Sequence, residues 1–292
     1  MRKTVIGFLI LTGLFFRVSV IFAENGNIPG WLKRTHYGVD AGTDQKPRVY
    51  FETVQPLYQD DDKQNTVFIQ PRFSYLNDDF GSNLGVGYRR LMADNTVLLG
   101  TNVFFDYENE HRHYRAGVGL EGYFNRLESR LNTYFGLSPT RVSKIVGAST
   151  YYERAVDGLD WEIGGPTPYM NWIKVYGGGY WYDYKKFDNK TGWRARTEFS
   201  PLSFLTVNFL VYDDNKGEVA YRADARVSLA FGGDSKEGGE ESVVKAGIDD
   251  KAFEEKVDHS DRALDRVERE HKIEVEKWVE TASAMIEIRR GD

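Results

Sequence analysis

Residues 96–124 read TVLLGTNVFFDYENEHRHYRAGVGLEGYF, and their alternation restricts the fold more than any other stretch of the chain. Val97, Leu99, Thr101, Val103, Phe105 and Tyr107 fall on one face of an extended segment. Gly100, Asn102 and Asp106 fall on the other, with Leu98 and Phe104 among them. After a polar connection, Tyr114, Ala116, Val118, Leu120, Gly122 and Phe124 alternate with Arg115, Gly117, Gly119, Glu121 and Tyr123. A period of two sustained over about ten residues is a strand pattern. A helix repeats at about 3.6 residues, and each glycine would weaken it by about 1 kcal/mol. Strands of this length, apolar on one side and polar on the other, suit an outer-membrane barrel. Taken alone, the window also allows a soluble sandwich hairpin.

The rest of the chain decides between the two. Segments 34–41, 49–59, 66–76, 83–90, 127–135, 158–164, 172–182, 192–200, 204–212 and 219–231 repeat the strand pattern, which with the central hairpin gives twelve strands. Single-chain bacterial barrels have an even number. The connections also sort into two sets. GTDQKP, LNDDFGS, ENEHRH, residues 138–157, YKKFDNKT and DDNKGE alternate along the chain with the tighter DDDKQ, LMADN, FNR, PTPYM and PLS. A sandwich has no reason to sort its loops in this way. The expected fold is all-β: a twelve-stranded antiparallel transmembrane outer-membrane β-barrel over residues 34–232, with a short helical C-terminal linker. The 18 Phe, 18 Tyr and 6 Trp suit interfacial girdles, and the 29 Gly suit close strand packing.

Residues 1–23 have the build of a signal peptide. Arg2 and Lys3 precede the apolar run VIGFLILTGLFF, and Ala23 gives a small residue at the cleavage point. Residues 24–33 form a short periplasmic lead. A chain without cysteine has no disulfide, no thiolate metal site and no lipidated N-terminus. A net charge of −6 gives no bulk field for nucleic acid.

The polar faces of the strands carry both signs of charge: Arg72, Arg89, Asp106, Arg115, Glu121, Arg130, Asp160, Glu162, Lys174, Arg194, Arg196, Glu198, Arg222, Asp224 and Arg226. Facing lipid near the midplane, such groups would cost a few kcal/mol each, so they are expected to line the lumen. That lining suits a wet pore, or a polar bed for something threaded through it. It equally suits a closed network of ion pairs. Beyond residue 232 the composition changes to a charged linker, residues 233–292. Phe253, Val257, Ala263, Leu264 and Val267 suggest a helix over about 248–268. Ile273 and Val275 then alternate with charges like an extended piece, and the last residues to Ile288 suit a further helix.

Nothing in the chain points to catalysis, and no cofactor is expected. His111 and His113, beside Glu108 and Glu110, could hold a divalent metal weakly; a solvated polar loop is the simpler reading. No Ser/His/Asp arrangement stands out at the strand rims. GVGLEG lies within a strand rather than between strand and helix, so it is not a phosphate loop.

Seven segments together resemble one family. They are PLYQD at 56–60, LGVGYRR at 84–90, LLGTNVFFDYE at 98–108, RAGVGLEGYF at 115–124, YYERAVDGLDWEIGG at 151–165, WRARTEFSPLSFLTV at 193–207 and DRVEREHKIEVEKW at 265–278. The chain resembles the inverse autotransporters of the intimin/invasin type over about residues 35–280. The resemblance implies a twelve-stranded barrel whose linker turns back through the pore as a helix and leaves it extended, holding an extracellular adhesin passenger. It places Val267, Arg269, Ile273, Val275 and Glu276 in the exit segment. It makes the lumen arginines a bed for acidic linker residues such as Glu254, Glu255 and Asp258. It also implies a monomer in outer-membrane lipid, delivered by periplasmic chaperones and the barrel-assembly machinery. Two departures are expected. About ten residues lie where a peptidoglycan-binding module would sit. After Trp278 only VETASAMIEIRRGD remains, whereas an immunoglobulin-type domain needs about a hundred residues. The expectation is therefore a stand-alone barrel without a passenger, which exports its C-terminus and is linked to cell adhesion, or a small porin-like channel plugged by its own tail.

Overall fold

The computed structural model describes residues 29–290 except 44, 77–78, 229–234, 237–238 and 241–243. The signal peptide, residues 24–28 of the lead and the end of the last barrel strand lie outside the described residues. A short helix, α1 (Gly30–Lys33), tucks Leu32 out of solvent before the first strand.

The wall is built from β1 (Thr35–Gly42), β2 (Gln45–Thr53), β3 (Gln55–Gln59), β4 (Asn65–Leu76), β5 (Asp79–Met92), β6 (Val97–Glu108), β7 (His113–Phe124) and β8 (Leu127–Gly136). It continues with β11 (Asp157–Thr167), β12 (Met170–Asp183), β13 (Lys190–Leu202), β14 (Leu205–Asp214) and β15 (Ala220–Ser228). The hydrogen-bonded order β2-β1-β15-β14-β13-β12-β11-β8-β7-β6-β5-β4-β3 closes through pairing of β2 with β4. β2 and β3 are two halves of one wall strand broken at buried Val54, so the barrel has twelve antiparallel strands. Within the described residues, every segment read from the sequence as a strand overlaps one of these wall strands. The break has a cause. Pro56 lacks an N–H, and β3 pairs only with β4, so the missing donor falls on an edge.

The two faces separate as the alternation requires. On β6 and β7, Val103, Phe105, Val118 and Leu120 are exposed outward, while Asn102, Phe104, Asp106, Arg115 and Glu121 are buried inward. Trp161, Val175, Trp193 and Phe209 continue the apolar exterior around the wall. The register sets inward charges side by side: Asp106 opposite Arg115, and Glu121 opposite Arg130. One mouth of the barrel has short turns. At the turn between β5 and β6, Ala93, Asp94 and Asn95 all take positive φ, at 51°, 52° and 65°. The other mouth carries longer connections. There the segment between β8 and β11, read above as a loop, forms a hairpin of β9 (Arg141–Val146) and β10 (Ser149–Ala155).

The tail departs most from expectation. After a two-residue hairpin, β16 (Ser235–Lys236) with β17 (Gly239–Glu240), it is largely irregular. The helix expected over 248–268 is reduced to one 3-10 turn, Ser260–Leu264. The helix expected near the end is a second hairpin, β18 (Val275–Glu280) with β19 (Met285–Glu287). β18 pairs with β10, giving a separate four-stranded sheet ordered β19-β18-β10-β9.

Placing Leu120→Arg on the exterior of β7, where the leucine is 56% exposed, is expected to destabilise the barrel by about 2–4 kcal/mol in lipid. Leu120→Phe should be near neutral. Denaturant titration of folded protein in vesicles, read by heat-modifiable gel mobility, measures both.

Candidate functional site

The lumen is occupied by the tail, which runs from the short-turn mouth to the long-loop mouth. At the first mouth the backbone is pinned to the turns. Tyr169 N–H donates to Ala252 O (2.9 Å), Val257 N–H to Asn125 Oδ1 (2.9 Å), and His259 N–H to Asn95 O (2.9 Å). Arg262 then grips Glu128 with its two terminal guanidinium nitrogens, at 2.6 and 3.2 Å. Arg89, paired with Glu121 at 2.6 and 3.1 Å, donates to the carbonyls of Ala263 and Asp265. Those carbonyls serve the wall rather than a helix, which is why the turn stops. Val267 N–H donates to Gln70 Oε1 (2.9 Å), and its side chain packs with Val54, Phe68 and Phe104.

At mid-lumen Asp106 is fully buried. Its carboxylate accepts from Arg269 at 2.7 and 2.8 Å, from Arg115 Nε at 2.8 Å and from Asn83 at 2.8 Å. Arg115 also donates to the carbonyls of Glu270 (2.7 Å) and Lys272 (2.9 Å). Arg269 lies over the Phe104 ring at 4.2 Å. A buried carboxylate is tolerable only when paired and fully hydrogen-bonded. Asp106 achieves that with one guanidinium from the wall and one from the tail.

Toward the long-loop mouth, Ile273 N–H donates to Glu108 (3.2 Å), and Tyr184 donates to Glu274 (2.9 Å). Lys190 also reaches Glu274, at 2.9 Å. Glu276, fully buried, accepts the backbone N–H groups of Lys185, Lys186 and Phe187 at 3.0, 2.7 and 3.0 Å. Above the barrel, Glu153 on β10 contacts Lys277 (2.9 Å), His111 (2.6 Å) and His113 (3.6 Å). Burial alone would raise the Glu153 carboxyl, but His113, Lys277 and His111 outweigh it and hold it at about 2. The histidine pair thus faces Glu153 rather than Glu110, and Glu108 turns inward. Among the described residues no cluster has the geometry of a metal site.

The other inward charges form pairs along the wall. Arg130 meets Glu162 (2.6 Å) and Glu128 (2.9 Å), and Lys174 also meets Glu128 (2.9 Å). Arg194 meets Asp160 (3.0 Å), and Arg196 meets Glu162 (2.7 Å) and Glu198 (3.2 Å). Arg72 lies 3.4 Å from Glu52, and Asp224 accepts from Tyr50 (2.6 Å). Arg222 and Arg226 reach the tail at Glu270 (3.0 Å) and Glu268 (3.7 Å).

One expectation needs correction. Glu254, Glu255 and Asp258 are exposed; near them it is backbone carbonyls of Glu254 and Glu255 that accept, from Arg126 and Asn125. The acidic tail residues that pair with wall cations are Glu268, Glu270 and Glu274 instead. Of the proposed exit segment, Val267 and Arg269 lie within the barrel, Ile273 bonds to Glu108 toward the long-loop mouth, and Val275 and Glu276 belong to β18. The sequence reading also passed over Glu128, Arg262 and Arg266. Glu128 shares a strand face with Arg130, and Arg262, Arg266 and Arg269 recur every three to four residues in the tail, so both signals were present.

The sequence model of the inverse autotransporter β-domain matches residues 25–271. Intimin of Citrobacter freundii is 27% identical over 187 residues, 63% of this chain but 19% of that protein. The putative attaching and effacing protein homolog of Escherichia coli K12 is 31% identical over 117 residues, 40% of this chain and 38% of that one. The chain thus spans a minor part of these relatives. A solved structure from work on in-meso crystallization of membrane proteins shares the fold, with a TM-score of 0.63, 20% identity, and coverage of 83% of this chain and 99% of that one.

Asp106→Ala leaves two buried guanidiniums without their carboxylate and is expected to cost about 3–5 kcal/mol. Arg269→Met should cost less, because Asp106 keeps Arg115 and Asn83. Thermal midpoints by heat-modifiable mobility rank the two, and equal effects would contradict the shared role of Asp106.

Proposed function

The chain belongs to the inverse autotransporter β-domain family, and on that premise we propose that this outer-membrane barrel anchors its own C-terminal segment in the lumen and presents it at the cell surface. The observation that carries the reading is the unbroken series of wall-to-tail contacts from His259 at the short-turn mouth to Glu276 at the long-loop mouth. An obligate lumen segment is what a translocator needs once transport is complete. The chain is fixed at several depths, and its far end emerges already paired to β10. Backbone donors and acceptors that would otherwise lie bare in a barrel interior are taken by Arg89, Arg115, Gln70 and Tyr134.

In this reading the short-turn mouth faces the periplasm and the β9–β10 hairpin faces the medium. Delivery by periplasmic chaperones and the barrel-assembly machinery is part of the same proposal. The relatives' names, intimin and an attaching and effacing homolog, are consistent with a surface role in attachment. The charged side chains of the lumen are assigned to holding the tail, as in the pairs of Asp106 with Arg269 and Glu270 with Arg222.

The test is protease shaving of intact cells that express the full chain with an epitope tag after Asp292. Loss of the tag while a periplasmic control survives is the expected result. A tag protected until the outer membrane is permeabilised would overturn the proposal.

A further inference from the structure

We propose that His259 is an acid-sensitive latch, whose neutral imidazole closes the tail onto the short-turn mouth and whose protonation releases it there. The inference rests on the tail lying in the lumen.

His259 stands where the tail enters the barrel. Its backbone N–H donates to Asn95 O, on the turn between β5 and β6, at 2.9 Å. Its carbonyl accepts from Arg262 N–H at 3.0 Å and so starts the 3-10 turn, but its side chain does not cap that turn. The side chain is 1% exposed and lies against the Tyr123 ring, with centroids 5.8 Å apart. Tyr123 in turn packs with Leu91 and Leu98. Neither imidazole nitrogen makes a well-formed hydrogen bond among the described residues. A histidine can fill such a place only while neutral, because a buried charge without a partner is costly.

The surrounding charges make protonation worse. Arg262 lies over the same Tyr123 ring at 4.3 Å, and Arg130 at 5.9 Å, so an imidazolium would be the third cation around one ring. Glu128 on β8 offers a carboxylate, but it is already shared by Arg262 (2.6 Å), Arg130 (2.9 Å) and Lys174 of β12 (2.9 Å). Glu121 on β7 is held by Arg89 of β5 at 2.6 Å. Asp94 on the turn, and Asp258 and Asp261 on the tail, are exposed. Asp258 Oδ1 accepts from Ser260 N–H at 2.7 Å. Arg126, on the turn between β7 and β8, lies over Phe253 at 4.5 Å. Burial, Arg262 and Lys174 lower the imidazole from its ordinary value, and the Asn125 backbone and Glu128 offset this only in part. A lowered imidazole leaves the latch fully closed above about pH 6.5, the ordinary histidine value, and weakens it as the pH falls below that.

The chain has no cysteine, so a thiol at Ala263, buried in the turn that His259 starts, reports opening. In isolated outer membranes, full-chain Ala263→Cys is labelled with 4,4′-dithiodipyridine, and its rate is divided by that of the exposed Ser283→Cys at the same pH. The ratio should be low at pH 7.5 and rise about threefold or more by pH 5. Adding His259→Phe, which keeps a ring on Tyr123 without a titrating group, should leave the ratio flat. Each chain is first checked for native heat-modifiable mobility. Val257→Cys replaces a reporter that fails, and His259→Leu replaces a latch variant that fails. A ratio that ignores pH in the histidine chain, or that rises equally with His259→Phe, overturns the latch and leaves the anchoring function standing. A ratio near one already at pH 7.5 overturns the seated tail itself, and the latch with it.

Discussion

The Asp106 carboxylate, buried at mid-lumen between Arg115 of the wall and Arg269 of the tail, sets the terms for the rest of the molecule. Turned outward, such a group would lie in hydrocarbon; turned inward without partners, it would be a buried unpaired charge. A twelve-stranded barrel is wider than the eight-stranded kind that its own side chains can fill. Wall charges alone therefore leave space at the axis. The tail fills it, and brings both counter-charges and backbone carbonyls. Arg89 and Arg115 show the economy of this: each holds a wall carboxylate with one part of its guanidinium and tail carbonyls with another.

The two mouths fasten the tail differently. At the short-turn mouth the bonds run backbone to turn, through Asn95, Asn125 and Tyr169. At the other mouth the tail becomes a strand. β18 extends the β9–β10 hairpin, Trp278 stacks on Tyr152 at 5.4 Å, and Glu276 caps three successive N–H groups of the loop after β12. A segment entering as irregular chain and leaving as part of a sheet has a fixed direction and depth.

The barrel was legible because two physical signals reinforced each other. Alternation set Val103 and Leu120 outward against Asp106 and Glu121, and the loops sorted by length between the mouths. The lumen charges were legible as a set, but not their pairing, since Arg130 meets Glu162 only through the register of β8 with β11. The tail was misread for a specific reason. Phe253, Val257, Ala263, Leu264 and Val267 have helical spacing, yet they answer to separate partners on the wall rather than to one another along a helix face, save Leu264 and Val267, which share a cluster. Arg126 lies under Phe253, and Gln70 and Phe68 hold Val267. Local pattern cannot show that wall arginines will compete for helix carbonyls. The β9–β10 hairpin was missed because its outer strand, RVSKIV, is short and exposed, so neither face marks a core.

The most direct measurement is a disulfide cross-link through the lumen. The chain has no cysteine, so Phe104→Cys on β6 with Val267→Cys on the tail gives one defined pair, at positions that pack together. A control pair, Thr101→Cys with Leu120→Cys, joins register neighbours of β6 and β7. In oxidised outer membranes from cells expressing the full chain, both linked peptides should be found by mass spectrometry. Formation of the control link without the link between residues 104 and 267 would contradict a tail seated in the barrel.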